Sequence, residues 1–467
     1  MRALRACTTS ARTQAWSLAD GVVSFARKRP PPPREEVERL LEHGLAQAGG
    51  QSGAPAAKIL LEWQAMEAER DTKMALEKAK DAVRAAVQDE SGEKEVCEVR
   101  VASYEAVARL CTRLGMDAEA VESARQSVQE AEEALEDTPM LQWRKDGLPT
   151  TWLRAYGALG SAHLAAGDVS SAMDACSTCA DVFPNPQEVE ECAENLSPKE
   201  ISVACAFLDD LGRLHHVLSG LPESSGESDM EVWLQSHEAA EQCYQLCIKL
   251  LQTAKRKNKG SVELASSLPA LEVLEADAHC GLSQLHVCTQ SWKEAESHAE
   301  MCLAAAERAG EDSHPRIGMA LLQLGHIFFH TNRLTLGEGL YRKSGELLND
   351  TVAHDFPNKV AVHPTTIALW NWRYAQLLSL MPKRGSEVAA LKTEAIQLWK
   401  SAANLKCEDG PVEGLLNEAM GGVGRSPDQS NEEEKKKTSR VCKRSAVMIL
   451  RMGRVIIPGH WPWANKL

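Results

Sequence analysis

No uninterrupted apolar run in the 467 residues approaches the ~18 that a membrane-spanning helix needs, so no integral membrane segment is expected. Aromatic residues make up only 5% of a chain that is 43% hydrophobic. A large core poor in rings favours many small helix–helix contacts over a β sandwich. Catalytic signatures are missing as well: there is no GxSxG elbow, no GxxxxGK[ST] phosphate loop and no HExxH zinc helix. The sequence therefore predicts no enzyme and no cofactor, with no catalytic, cofactor-binding or metal-ligating residue. Acids are almost absent from the two ends. Residues 1–34 carry seven basic groups and one acid, and residues 435–467 carry nine basic groups and none. Out of a net charge of −14, the body is left with −29. Such a body disfavours nucleic acid as a partner, because phosphate binding is mainly electrostatic. It leaves room for basic protein segments.

Fourteen cysteines are present, but they do not form a disulfide framework. Cys111, Cys176, Cys179, Cys280 and Cys302 fall on core positions of expected helices, where a free thiol acts as a small hydrophobe. Cys176 and Cys179 read as CxxC, yet no second pair completes a zinc site. Cys243 and Cys247 make a single CxxxC with no partner pair. Reduced thiols are expected. His326 and His330 share a helix face at i, i+4, but no third ligand lies near them in sequence, so metal is not expected.

What the chain does have is a stripe. In YGALGSAHLAAGDVSSAMDACSTCADVFP (156–184), Tyr156, Leu159, Gly160 and His163 lie on one helical face, and Gly167-Asp168 breaks the pattern. Ala172, Cys176 and Cys179 form a second stripe before Pro184 ends it. The small residues Gly160 and Ala172 let two antiparallel helices cross closely. This stretch resembles a tetratricopeptide repeat. The resemblance implies an all-α, tetratricopeptide-type α-solenoid of antiparallel helical hairpins forming a right-handed superhelix, because one hairpin cannot bury its apolar face alone.

Taken in order, 1–34 reads as an Arg-rich organelle transit peptide, mitochondrial rather than plastid, followed by a Pro-rich spacer. A short amphipathic helix and a Gly/Ser linker are expected over 35–56. About six or seven hairpins follow over 57–402. The first is degenerate, with Trp63 where a small residue belongs. The second carries Tyr104, Val107, Ala108 and Cys111, and the 156–184 stretch is the third. The fourth begins at Leu208, Leu211 and Gly212 and is interrupted by a polar insertion at 219–229. Its Asp209 and Asp210 are expected to be solvated. The fifth runs from His279 to Cys302. The sixth, HPRIGMALLQLGHIFFHTNRLTLGEGLYRKS (314–344), and the seventh, opening at His363-Pro364, are similar to the repeats of kinesin light chains. Residues 403–467 read as a disordered basic tail, within which 441–457 could form a membrane-surface helix.

In the tetratricopeptide family the ligand lies along the concave face lined by the first helices. By offset, that places Glu105, Arg109, Arg113, Arg154, Gln284, Leu322, His326, Phe329, His330 and Asn371 against a partner. Phe329 with Leu322 would take an apolar anchor of a peptide or helix. The carboxylate clamp of chaperone-binding members falls here on Gly157, Ser161 and Gln323 and is absent. The resulting expectation is a non-enzymatic scaffold or assembly adaptor for a protein partner, in mitochondria. The alternatives are a cytosolic kinesin-light-chain-like cargo or cytoskeleton adaptor and a helical-repeat RNA binder, the last opposed by the −29 body.

Overall fold

The computed structural model describes residues 2–27, 33–48, 52–68, 70–89, 91, 93–133, 149–180, 195–219, 228–257, 262–309, 314–349, 362–402, 448–449 and 455–456. Sixteen helices occur among them, and contacts divide the chain into two compact units. The first is built mainly from Met1–Phe207 with Gln252–Leu268, and the second from Leu208–Leu251, Pro269–Phe356 and Ala361–Leu467. No described helix is long and apolar enough to cross a membrane.

In the first unit, α1 (Arg2–Ala26) and α2 (Arg34–Gln47) precede three hairpins. These are α3 (Ala54–Ala68) with α4 (Thr72–Val87), α5 (Lys94–Leu114) with α6 (Asp117–Glu133), and α7 (Thr150–Ala166) with α8 (Val169–Ala180). Each first helix packs on its own partner, on the next first helix and on the preceding second helix, so α5 touches α3, α4, α6 and α7. That nearest-neighbour pattern is the packing of an all-α solenoid. Trp63 does not prevent the first hairpin: its ring turns aside and lies under the Lys78 ammonium, 3.8 Å from the ring centre.

α9 (Pro198–Ser219), α10 (Ser228–Lys257) and α11 (Val262–Cys288) each pass from one unit to the other. The second unit continues with α12 (Trp292–Ala309), α13 (Pro315–His330), α14 (Leu334–Asn349), α15 (Pro364–Ser379) and α16 (Gly385–Ala402). Here α12 packs on α13, α13 on α14, α14 on α15 and α15 on α16.

Two local devices set the hairpins. The first is a left-handed residue after four of the first helices: Gly115 (φ 76°), Gly167 (φ 87°), Gln290 (φ 59°) and Asn332 (φ 61°). In each case its N–H and the next one donate back into the last turn, as Gly167 does to Leu164 O at 3.1 Å and Asp168 to His163 O at 2.9 Å. This Schellman arrangement satisfies carbonyls the helix leaves open and reverses the chain. The second is close crossing. A Cβ added at Gly160 would sit 2.6 Å from Cys176 Sγ, and one at Gly345 would sit 2.1 Å from the Trp370 ring. The two His-Pro pairs also have a structural reason: His314 and His363 are N-caps whose Nδ1 accepts the N–H of Arg316 (3.1 Å) and Thr365 (3.3 Å). Pro315 and Pro364 then occupy the first turn, where a missing N–H costs nothing.

One region gains a place in the fold, and one expectation is corrected. The leader does not stand apart from the repeats: α1 packs on α3, with Ala19 and Val22 buried in a cluster containing Leu41, Ile59 and Leu60. Asp20 pairs with Lys58, and Arg27 pairs with Glu62 at 2.7 Å. Of the C-terminal tail, only 448–449 and 455–456 are described, and they form a two-residue antiparallel ladder, not part of a helix. The rest of the tail, and Pro30, Pro31 and Pro32 of the spacer, lie outside the described residues.

Gly160→Ala is expected to lower stability by about 1–3 kcal/mol through overpacking, despite the ~1 kcal/mol by which Ala exceeds Gly in helix propensity. Adding Cys176→Ala should recover most of the loss in urea unfolding followed by circular dichroism. A Gly160→Ala chain as stable as the parent would show that Cys176 does not set this crossing. Deleting residues 1–29 is expected to lower the melting temperature, since each Val or Leu left uncovered forfeits about 1.5–3 kcal/mol; an unchanged melting curve would mean that α1 contributes no stability.

Candidate functional site

On the first-helix line of the first unit, Glu105 is buried and clasped by two guanidinium groups from successive hairpins. Arg109 Nε donates to Glu105 Oε1 at 2.9 Å and Arg154 Nε to Oε2 at 2.7 Å. Burial pushes the Glu105 carboxyl up, but Arg154 and Arg109 outweigh it and hold it below its ordinary value. The arginine side chains keep 17% and 34% of their surface exposed above the buried carboxylate. Arg113 is buried differently: its Nη1 donates to Ala68 O at 2.9 Å and closes the C-terminus of α3. It serves the scaffold.

The corresponding line in the second unit is mostly interior. Leu322, His326 and Asn371 are fully buried, and Gln284 nearly so. Gln284 Nε2 donates to Cys280 Sγ at 3.0 Å. Asn371 has neither polar side-chain atom hydrogen-bonded among the described residues. Only Phe329 and His330 are half-buried. His330 stacks on Trp292 with ring centres 4.7 Å apart and 7° between planes, and the His326 and Phe329 rings meet it edge-on at 4.5 and 5.0 Å. The geometry is a half-exposed ring ridge at the turn end of α13. Phe329 and His330 keep part of their surface open there, while His326 is sealed beneath them. No group of three or more His, Cys, Asp and Glu that could hold a metal occurs among the described residues.

Asp209 and Asp210, expected in water, are buried, as is Arg213. Arg213 Nε donates to Asp209 at 2.9 Å. Burial opposes the Arg213 charge, but Asp209, Tyr244 and Asp277 hold its pKa above the ordinary value. The sequence signal was available: Asp209 and Arg213 are i, i+4 on the face that carries Gly212, and a buried carboxylate needs such a partner.

Histidines gather nearby. His279 Nδ1 and His298 Nδ1 lie 3.1 Å apart, so one ring donates and the other accepts. His298 also stacks on His286, with centres 5.4 Å apart. Burial lowers the pKa of His237, His286 and His298, and lowers His216 to about 3 with help from His237 and Arg213.

No family model and no curated protein matches this chain. Among solved structures it is similar to "BtubC (BKLC) from P. vanneervenii", at 13% identity over 61% of this chain and 94% of that one, with a TM-score of 0.37. It is also similar to a circular tandem repeat protein with novel repeat topology and enhanced subunit contact surfaces, at 13% identity over 84% and 97%, with a TM-score of 0.26. At these scores neither likeness says anything about function.

The histidines set a pH dependence. Their pKa values are lower in the folded than in the unfolded chain (6.5), so below that value the unfolded chain binds more protons and stability falls with pH. The protection factors of amides in α11 and α12 are expected to fall from pH 6.5 towards 5. Protection that stays constant over that range would contradict the burial of these rings.

Proposed function

We propose that this protein is a non-enzymatic scaffold that holds a peptide or helix of another protein against its first helices. The observation that carries this reading is the Arg109–Glu105–Arg154 bridge. It fixes two partly exposed guanidinium groups from adjacent hairpins on one buried carboxylate. A preformed, partly desolvated arginine pair suits a carboxylate of a partner, because bidentate charge-assisted hydrogen bonds form with little loss of side-chain freedom. The Trp292–His330–Phe329 ridge offers separate apolar contact area of the kind that anchors peptides. The tetratricopeptide-like stripe supports the same reading.

The basic composition of 1–34 supports a mitochondrial address. The packing of residues 13–27 on α3 supports the second reading, a cytosolic adaptor like a kinesin light chain, in which the segment is a permanent cap. A reporter carrying residues 1–34 distinguishes the two by where it accumulates.

A photo-crosslinking residue in place of Arg109 or Phe329 in the full-length protein is expected to capture defined peptides of a partner in cells. The same residue in place of Met74 or Met301, both exposed on second helices, should capture far fewer. Equal capture from both sets, or capture only from Met74 and Met301, would overturn the first-helix reading.

A further inference from the structure

A cleft of about 530 Å³ lies in the second unit, where α14, α15 and the start of α16 meet. It contains none of the residues on the first-helix line. Arg342, Gly345 and Glu346 line it from α14, Trp370 and Tyr374 from α15, and Arg384 and Glu387 from the start of α16. Its volume lies in the range of small-molecule sites, and so does its make-up of rings with a few charged groups. Both rings are fixed. Trp370 Nε1 donates to Tyr341 O at 2.7 Å, and a Cβ at Gly345 would lie 2.1 Å from the ring. Glycine therefore lets Trp370 rest directly on the α14 backbone. Tyr374 packs beside it, with ring centres 5.6 Å apart and 34° between planes, and lies 5.8 Å from the Tyr341 ring.

The charges around the rings are arranged less simply. Arg342 and Glu346 stand at i, i+4 on α14, a spacing at which opposite charges usually pair. Here each turns to another group: Arg342 Nη2 donates to Glu338 Oε1 at 2.8 Å, and Lys343 Nζ to Glu346 Oε2 at 3.0 Å. Their side chains keep 63% and 55% of their surface exposed. Arg384 is more firmly committed. Its Nε and Nη2 donate to the two oxygens of Glu387 at 2.6 and 3.0 Å, and its Nη1 to Glu338 at 3.2 Å. The cleft thus presents one cation and one anion, turned apart and open to solvent, beside two fixed rings.

We propose that this cleft binds a small zwitterion with a flat ring, an aromatic α-amino acid. Its carboxylate meets Arg342, its ammonium meets Glu346, and its ring lies against Trp370 and Tyr374. The lining carries two guanidinium groups and two carboxylates, so it favours neither a net anion nor a net cation. A ligand of one sign would gain from one pair of groups and be repelled by the other. A zwitterion gains from both, and an α-amino acid carries its two charges on one carbon, close enough to reach neighbouring groups of a single helix face. Charge-assisted hydrogen bonds at each end fix its orientation. The ring adds offset or edge-on contact with the aromatic pair, whose positions are already set and cost little further ordering.

The test is fluorine NMR of the full-length protein with fluorotryptophan at its 11 tryptophan positions, the Trp370 signal being identified by Trp370→Phe. L-phenylalanine at millimolar concentration is expected to move that signal saturably and to leave the others in place. Phenylacetate, phenethylammonium and alanine each lack one of the three recognised groups, and each should bind about tenfold more weakly or worse. Arg342→Gln should bring L-phenylalanine down to the level of phenethylammonium, and Glu346→Gln to that of phenylacetate. Both side chains are exposed, so the fold should survive; if it does not, the four-ligand series on the unmodified protein decides alone. A Trp370 signal that L-phenylalanine leaves unmoved would overturn the assignment, as would phenylacetate or phenethylammonium binding equally well.

Discussion

The fold depends on how closely the two helices of each hairpin can cross. A Cβ added at Gly160 would lie 2.6 Å from Cys176 Sγ, and one at Gly325 would lie 3.2 Å from the Tyr341 ring. Tyr244 takes the constraint further: its ring is fully buried and passes between Gly212 and Gly281, where added Cβ atoms would lie 2.8 and 2.4 Å away. One large ring against two glycines fills the gap at close packing. Once the crossing is set, the other contacts follow, because it aligns each first helix with the next.

That constraint explains what could be read in advance. Gly160 and Ala172 betrayed the third hairpin because small residues at a fixed offset are what two closely crossing helices require. Gly115 and Gly167 marked turns because a left-handed residue after a helix favours glycine. Gln290 and Lys383 adopt positive φ without being glycine, so those reversals carried no sequence mark. The first hairpin looked doubtful only because Trp63 fills a slot that its ring leaves by rotating under Lys78. The packing of α1 was hidden: an Arg-rich amphipathic segment reads the same whether its apolar stripe meets a membrane receptor or α3. The seat comes from Gly44, close to Val22, and from Glu62, which no local pattern connects to Arg27.

The candidate site was legible in identity more than in exposure. Offset counting found Arg109 and Arg154, and the structure joins them through Glu105. It misjudged Asp209, since Asp within a helix usually faces water. The cost of burying that charge is met by Arg213 at i+4, and removing one member of such a pair generally costs about 3–5 kcal/mol. The pair lies within α9, so it lets that helix bury a charged face without leaving either charge uncompensated.

Burial of Leu322, His326 and Asn371 has a consequence for recognition. On the proposed scaffold reading a peptide cannot read side chains sealed in the core, so discrimination would pass to groups at the edge of that line. Those groups are the arginine pair in one unit and the ring ridge in the other. Both are held by packed partners, Glu105 beneath the arginines and Trp292 against His330. Being pre-positioned, they would lose little freedom on binding the proposed peptide. The buried polar line beneath fixes where the few accessible groups stand.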